Sequence, residues 1–90
     1  MTTKLRILLA DDHATVREGL SMILNSQPDM QVVGTASEGR SAVDEAERIK
    51  PDVVILDISM PGMNGLEATS QLIKRSPSAR VLTLTRHTDL

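Results

Sequence analysis

Four short apolar runs divide the chain: Leu5 to Ala10 (LRILLA), Val32 to Ala36 with its neighbours (QVVGTA), Val53 to Leu56, and Val81 to Leu84. Each has the length of a strand and is rich in Val, Ile and Leu. Apolarity that is nearly continuous, rather than alternating, predicts strands covered on both faces. Helical patterns lie between them. Val16, Leu20, Ile23 and Leu24 recur at helical spacing within residues 14–25, which stop at Asn25, Ser26 and Pro28. Ala42, Val43, Ala46 and Ile49 form a second stripe in residues 38–50, closed by Pro51, which restricts the residue before it. Leu66, Leu72 and Ile73 mark a third in residues 65–75, where Asn64 is placed to cap the helix and Glu67 to complete a capping box. The predicted order is β-α-β-α-β-α-β with short connections. That alternation implies right-handed βαβ units and a mostly parallel sheet.

In such a sheet, ligands bind outside the carboxyl ends of the strands. The first strand ends at Asp11 and Asp12, the third at Asp57, the fourth at Thr85, and the second at Ser37 and Glu38. If the first and third strands are neighbours, three carboxylates meet. Like charges that close repel and need a proton or a cation between them. Oxygen ligands alone favour a hard ion, Mg²⁺ before Ca²⁺. A carboxylate held beside such an ion, with the Thr85 hydroxyl near, has the makings of a nucleophile toward a phosphoryl donor.

Taken singly, each residue has a plainer role. Asp12 suits a helix cap, and Asp11 alone is no more telling. Asp57 suits the turn before Pro61, and Thr85 is an ordinary strand residue. Independent roles of this kind do not predict convergence at one end of one sheet. His13 and His87 lie near the same end and have the chemistry of metal ligands or bases, but loop histidines usually face solvent and a hard-ion site does not need them. Met60 and Met63 are read as packing the loop around Pro61.

Composition narrows the class. Ninety residues suit one domain with a modest core. A net charge of −2 with scattered arginines and lysines shows no nucleic-acid stripe, and no apolar run reaches membrane length. The N-terminus lacks a signal-peptide pattern. Cysteine is absent, which removes disulfides and thiolate chemistry and accords with a cytoplasmic location. No Phe, Tyr or Trp is present, so the core is aliphatic and base stacking on aromatic rings is excluded.

The stretches ILLADDHATVREGL, VVGTASEGRSAV, PDVVILDISMPGMNGLEAT and ARVLTLTRHTD together resemble the receiver domain of a bacterial response regulator of the NarL/FixJ (LuxR) type. The resemblance implies a flavodoxin-like, CheY-like doubly wound sheet with strand order 2-1-3-4. Asp57 would then be the phosphoacceptor, charged from the phosphohistidine of a sensor histidine kinase. Asp12 would ligate Mg²⁺ directly, Asp11 would hold it through water, and the Ser59 backbone carbonyl would be a further ligand beside Asp57. Thr85 would be the switch hydroxyl, and Gly65 the turn that opens the third helix. The family's fifth strand, its lysine, its aromatic switch partner and the DNA-binding output domain have no counterpart in these residues. The expectation is an incomplete receiver over residues 1–90, weakly phosphorylated, whose fourth strand is an exposed edge open to homodimerisation or strand exchange, with DNA reached only through the output domain. Two alternatives stand beside this reading. One is a receiver-like interaction module that does not switch. The other is an aspartyl-phosphate phosphatase of the haloacid dehalogenase kind, which wants its two acids separated by one residue, whereas Asp11 and Asp12 are adjacent.

Overall fold

A computed structural model describes residues 3–58 and 65–84. The elements run β1 (Leu5–Ala10), α1 (Ala14–Asn25), β2 (Met30–Ala36), α2 (Gly39–Ile49), β3 (Val53–Asp57), α3 (Gly65–Arg75) and β4 (Arg80–Leu84). Among the described residues the strands make one parallel sheet in the order β2-β1-β3-β4, as expected. β2 begins at Met30, two residues before its apolar run, because the ladder to β1 already pairs Leu5 with Met30. That ladder shifts register between Ile7 and Leu8, a bulge that lets Gly34 rather than Val33 pair with Leu8.

The main core lies on one face of the sheet. Leu8, Ala10, Ala36, Val54 and Leu56 from the strands meet Ala42, Val43 and Ala46 of α2 and Ala68 and Leu72 of α3. Small residues on α2 let that helix sit close to the sheet, so an aliphatic core fills without any ring. Ile7 and Leu9 point the other way, by the two-residue period of a strand, and are equally buried. The half-buried stripe of α1, Val16, Leu20 and Leu24, lies against β1 and β2 on that second face.

Three expectations about packing need correction. Ile23 is 60% exposed and does not join the α1 stripe. In α3, Leu66 and Ile73 are 87% and 61% exposed, and the buried face is Ala68 and Leu72. The two large side chains outweighed the small Ala68 in the sequence pattern, although Ala68 is the residue that permits close approach. Nor is β4 covered on both faces: Leu82, beside Ile55 in register, is 54% exposed, while α1 packs mainly on β1 and β2.

The stripe of α2 is as expected, and so is its end. Pro51 bars Lys50 from helical geometry, and Lys50 turns left-handed at φ 50°. The carbonyls freed there accept from the Arg6 guanidinium, at 2.8 Å to Ile49 and 2.7 Å to Lys50. Arg75 at the end of α3 ties it to α2, donating to Glu47 at 2.6 Å and standing 3.2 Å from Asp44. The hydrogen bond from Arg75, with its positive charge, holds the Glu47 carboxyl below its ordinary value. A depressed carboxyl stabilises the fold above its unfolded value and loses that contribution as pH falls through the folded one. Arg75→Gln is therefore expected to return Glu47 to the usual carboxylate range, read by NMR titration of its side chain. An unchanged titration would mean that Arg75 does not tie α3 to α2 in solution.

Candidate functional site

β1 and β3 are hydrogen-bonded neighbours, with Ala10 opposite Leu56. The next residue on each strand is an acid, so the register itself sets Asp11 beside Asp57. Both carboxylates sit at the carboxyl edge of the sheet with only 2% of their surface exposed. Apolar strands on either side force this: the strands are buried up to their last residue, and the acids inherit that burial. The ladder continues past the acid on β3, where the Ile58 N–H donates to the Leu84 carbonyl at 3.1 Å.

The turn out of β1 is built around the same acids. The Asp11 N–H donates to the Ala36 carbonyl at 3.0 Å, and the Asp11 carboxylate accepts from the His13 N–H at 2.8 Å. Arg17 of α1 donates to the Asp11 carbonyl at 2.6 Å. The residue flanking α1 at its start is His13, not Asp12, and its side chain caps nothing. Asp12 is thus not the residue at the helix N-cap, and its Oδ1 stands 2.8 Å from His13 Nδ1.

Asp11, Asp12, His13 and Asp57 each offer one ligand atom, and these four atoms lie within 4.8 Å of one another. The three predicted acids thus converge. His13, set aside in the sequence as a solvent-facing loop histidine, joins them: its Nδ1 lies 2.8 Å from Asp12 Oδ1 and 3.5 Å from Asp11 Oδ1. The signal was there in the sequence, since His13 directly follows the acid pair. A loop histidine's direction, however, depends on the turn and not on spacing. Ser59 and Thr85 lie outside the described residues, as do Pro61, Met60, Met63, Asn64 and His87.

Three carboxylates with two of them buried make a donor set that fits a hard divalent cation. Such an ion would screen their mutual repulsion while its remaining positions stay open to water or a phosphoryl oxygen. Asp11, Asp12 and Asp57 are the described residues that would hold it.

Gly65, which opens α3, approaches the same strand end. A β-carbon there would stand 2.7 Å from Ile58 Cβ and Cγ2, and 3.3 Å from its Cα. Those atoms belong to the base of a branched side chain and to backbone, so they have little room to move. Gly65→Ala is expected to destabilise the fold by about 1–3 kcal/mol, the usual range for overpacking. A chemical-denaturation midpoint equal to that of the parent chain would show that the Ile58 contact yields without cost.

The profile of the response regulator receiver domain matches residues 7–90. Among curated proteins, the chain is 50% identical over 86 residues to the oxygen regulatory protein NreC of Staphylococcus haemolyticus, covering 94% of this chain and 40% of that protein. It is 44% identical to the transcriptional regulatory protein DegU of Brevibacillus brevis, covering 96% of this chain and 36% of that protein. The chain therefore spans about two fifths of the length of these relatives. Among solved structures, the response regulator domain of Thermotoga maritima CheB superposes with a TM-score of 0.88 at 43% identity, over 96% of this chain and 63% of that one. The signal receiver domain of the response regulator NarL from Mycobacterium tuberculosis gives 0.89 at 33%, over 97% and 70%.

Proposed function

The chain belongs to the response regulator receiver domain family, and on that premise we propose that Asp57 takes a phosphoryl group from the phosphohistidine of a sensor histidine kinase. One observation carries the assignment of roles: β1–β3 pairing brings Asp57, at the end of the buried central strand, beside Asp11 and Asp12. In the transfer, a carboxylate oxygen of Asp57 attacks phosphorus, the nitrogen–phosphorus bond of the donor breaks, and the donor imidazole recovers its proton. The product is an acyl phosphate on Asp57. Rigid β3 holds the nucleophile in place, so little ordering remains at the moment of reaction.

Asp12 and Asp11 would hold Mg²⁺ with the Ser59 carbonyl, Asp12 directly and Asp11 through water. When bound, the ion offsets the charge of the incoming phosphoryl oxygens. The Thr85 hydroxyl is assigned the switch role, hydrogen-bonding the phosphoryl group once it is in place. The register supports this assignment, because Leu84, the residue before Thr85, pairs with Asp57. The new oxygens would thus draw a strand-end hydroxyl toward them, a local event that a two-state surface can report.

The chain is read as a switch rather than an enzyme with turnover. Asp11 and Asp12 are adjacent, and this favours the receiver reading over the phosphatase one, which a phosphate-monoester assay checks by showing no turnover. No described helix is long and apolar enough to cross a membrane. Partners other than the kinase, including DNA through an output domain and a second copy of the chain through β4, belong to the same proposal. Exposed Leu82 and Leu84 on β4 support the second-copy contact.

Incubation with a small phosphodonor tests the central step. Intact-mass analysis is expected to show the mass of one phosphoryl group in part of the population, only with Mg²⁺ present. No uptake with Mg²⁺, or equal uptake after chelation, would overturn the reading.

A further inference from the structure

We infer that His13 gives the acidic cluster an imidazole arm, so that the site takes a borderline divalent ion such as Co²⁺ or Zn²⁺ through nitrogen as well as oxygen. The inference rests on the cation role proposed for Asp11, Asp12 and Asp57, and adds a ligand to it. Two donors bound to one ion at about 2.1 Å, roughly at right angles, stand about 3 Å apart; in tetrahedral geometry they stand slightly farther. The His13 Nδ1 atom is already 2.8 Å from Asp12 Oδ1 and 3.5 Å from Asp11 Oδ1. These separations bracket what a shared ion requires, and Asp57 completes the group within the same 4.8 Å span.

The backbone holds the ring there. His13 directly precedes α1 in extended geometry, and its N–H donates to the Asp11 carboxylate. Its side chain is 53% exposed, so the ring can exchange the Asp12 contact for a metal bond without disturbing the core. Neutral imidazole with its proton on Nε2 presents the Nδ1 lone pair to the cluster. Mg²⁺ prefers oxygen and retains water, and gains little from that nitrogen, whereas Co²⁺ and Zn²⁺ accept it readily. The same pocket thus has an oxygen-only mode for Mg²⁺ and a mixed mode for softer ions. Occupancy by the softer ion would then depend on His13.

Calorimetric titration of the chain with Mg²⁺ and, separately, with Co²⁺ tests this, using His13→Ala and His13→Asn. The asparagine variant retains a side-chain donor toward Asp12 but no imidazole nitrogen. In both variants the Mg²⁺ affinity is expected to stay within about twofold of the parent. The Co²⁺ affinity should fall by about tenfold or more, the size of loss that follows removal of a group supporting a metal site. The visible spectrum of bound Co²⁺ should change with it. If His13→Asn binds Co²⁺ as the parent does, the ring only hydrogen-bonds Asp12, and the inference fails. A parallel loss of both ions makes His13 a structural residue and likewise overturns the inference. A parent chain that takes up no Mg²⁺ instead overturns the cation role proposed for the acids, while the Co²⁺ comparison still reports on His13 by itself.

Discussion

Asp57→Asn is expected to leave the chain without acyl phosphate: after incubation with a small phosphodonor and Mg²⁺, its intact mass matches that of the untreated protein. The amide has the shape of the carboxylate but no anionic oxygen to attack phosphorus. Shape matters here because Asp57 is buried at the end of β3. A far-UV circular dichroism spectrum like that of the parent would show that only the nucleophile was lost. Asp11 and Asp12 lie close enough to raise the question of substitution by a neighbour. Their assigned task is to hold the cation, so Asp12→Asn should retain the acceptor but lose the help of Mg²⁺. Charge stabilisation by such an ion is worth several kcal/mol. At about 1.4 kcal/mol per tenfold, the rate of uptake falls by on the order of a hundredfold or more. Uptake by Asp57→Asn equal to that of the parent would place the acceptor elsewhere in the cluster.

Leu56→Ala is expected to have the largest effect on the fold. Leu56 is fully buried in the cluster shared by Leu8, Val54, Val43 and Leu72, on the strand that carries Asp57. Truncating a leucine in a closely packed core removes its transfer energy and leaves a cavity, at a cost of about 2–5 kcal/mol. The cavity would collapse poorly, because its lining comes from both the sheet and two helices. A domain of this length has a total stability of roughly 5–13 kcal/mol. The substitution therefore removes a large share of it and should lower the urea midpoint by roughly 1–3 M. Loosening β3 also loosens the position of Asp57, so phosphoryl uptake should slow well below the unfolding midpoint. A midpoint unchanged within error would mean that the core around Leu56 repacks, and that β3 is less rigid than its burial implies.

Much of this arrangement was legible along the chain. Four apolar runs and the helical stripes between them led to the parallel sheet, and strand ends led to Asp11, Asp12 and Asp57. The stripe of α2 was legible because its apolar residues, two of them alanines, are all turned to the sheet. The stripe of α3 misled, since Leu66 and Ile73 are large, apolar and exposed while Ala68 carries the contact. Periodicity registers size and polarity, but not which side of a helix meets a neighbour. His13 was missed for a related reason. Its neighbours Asp11 and Asp12 were weighed by where the strand ends, but the direction of its own ring is set by the turn from β1 into α1.

By itself, the order of polar and apolar residues determined that this chain alternates strands and helices, that its sheet is parallel, and that acids stand at two strand ends. These follow from local rules, because burial of a strand and the period of a helix are written in consecutive residues. Only the tertiary structure decided that β1 and β3 pair in the register that sets Asp11 beside Asp57, that α1 covers β1 and β2 but leaves Leu82 open, and that His13 turns into the acidic cluster. Each of those depends on contacts between residues far apart in the chain, where a shift of one residue along a ladder would send the carboxylate to the opposite face of the sheet.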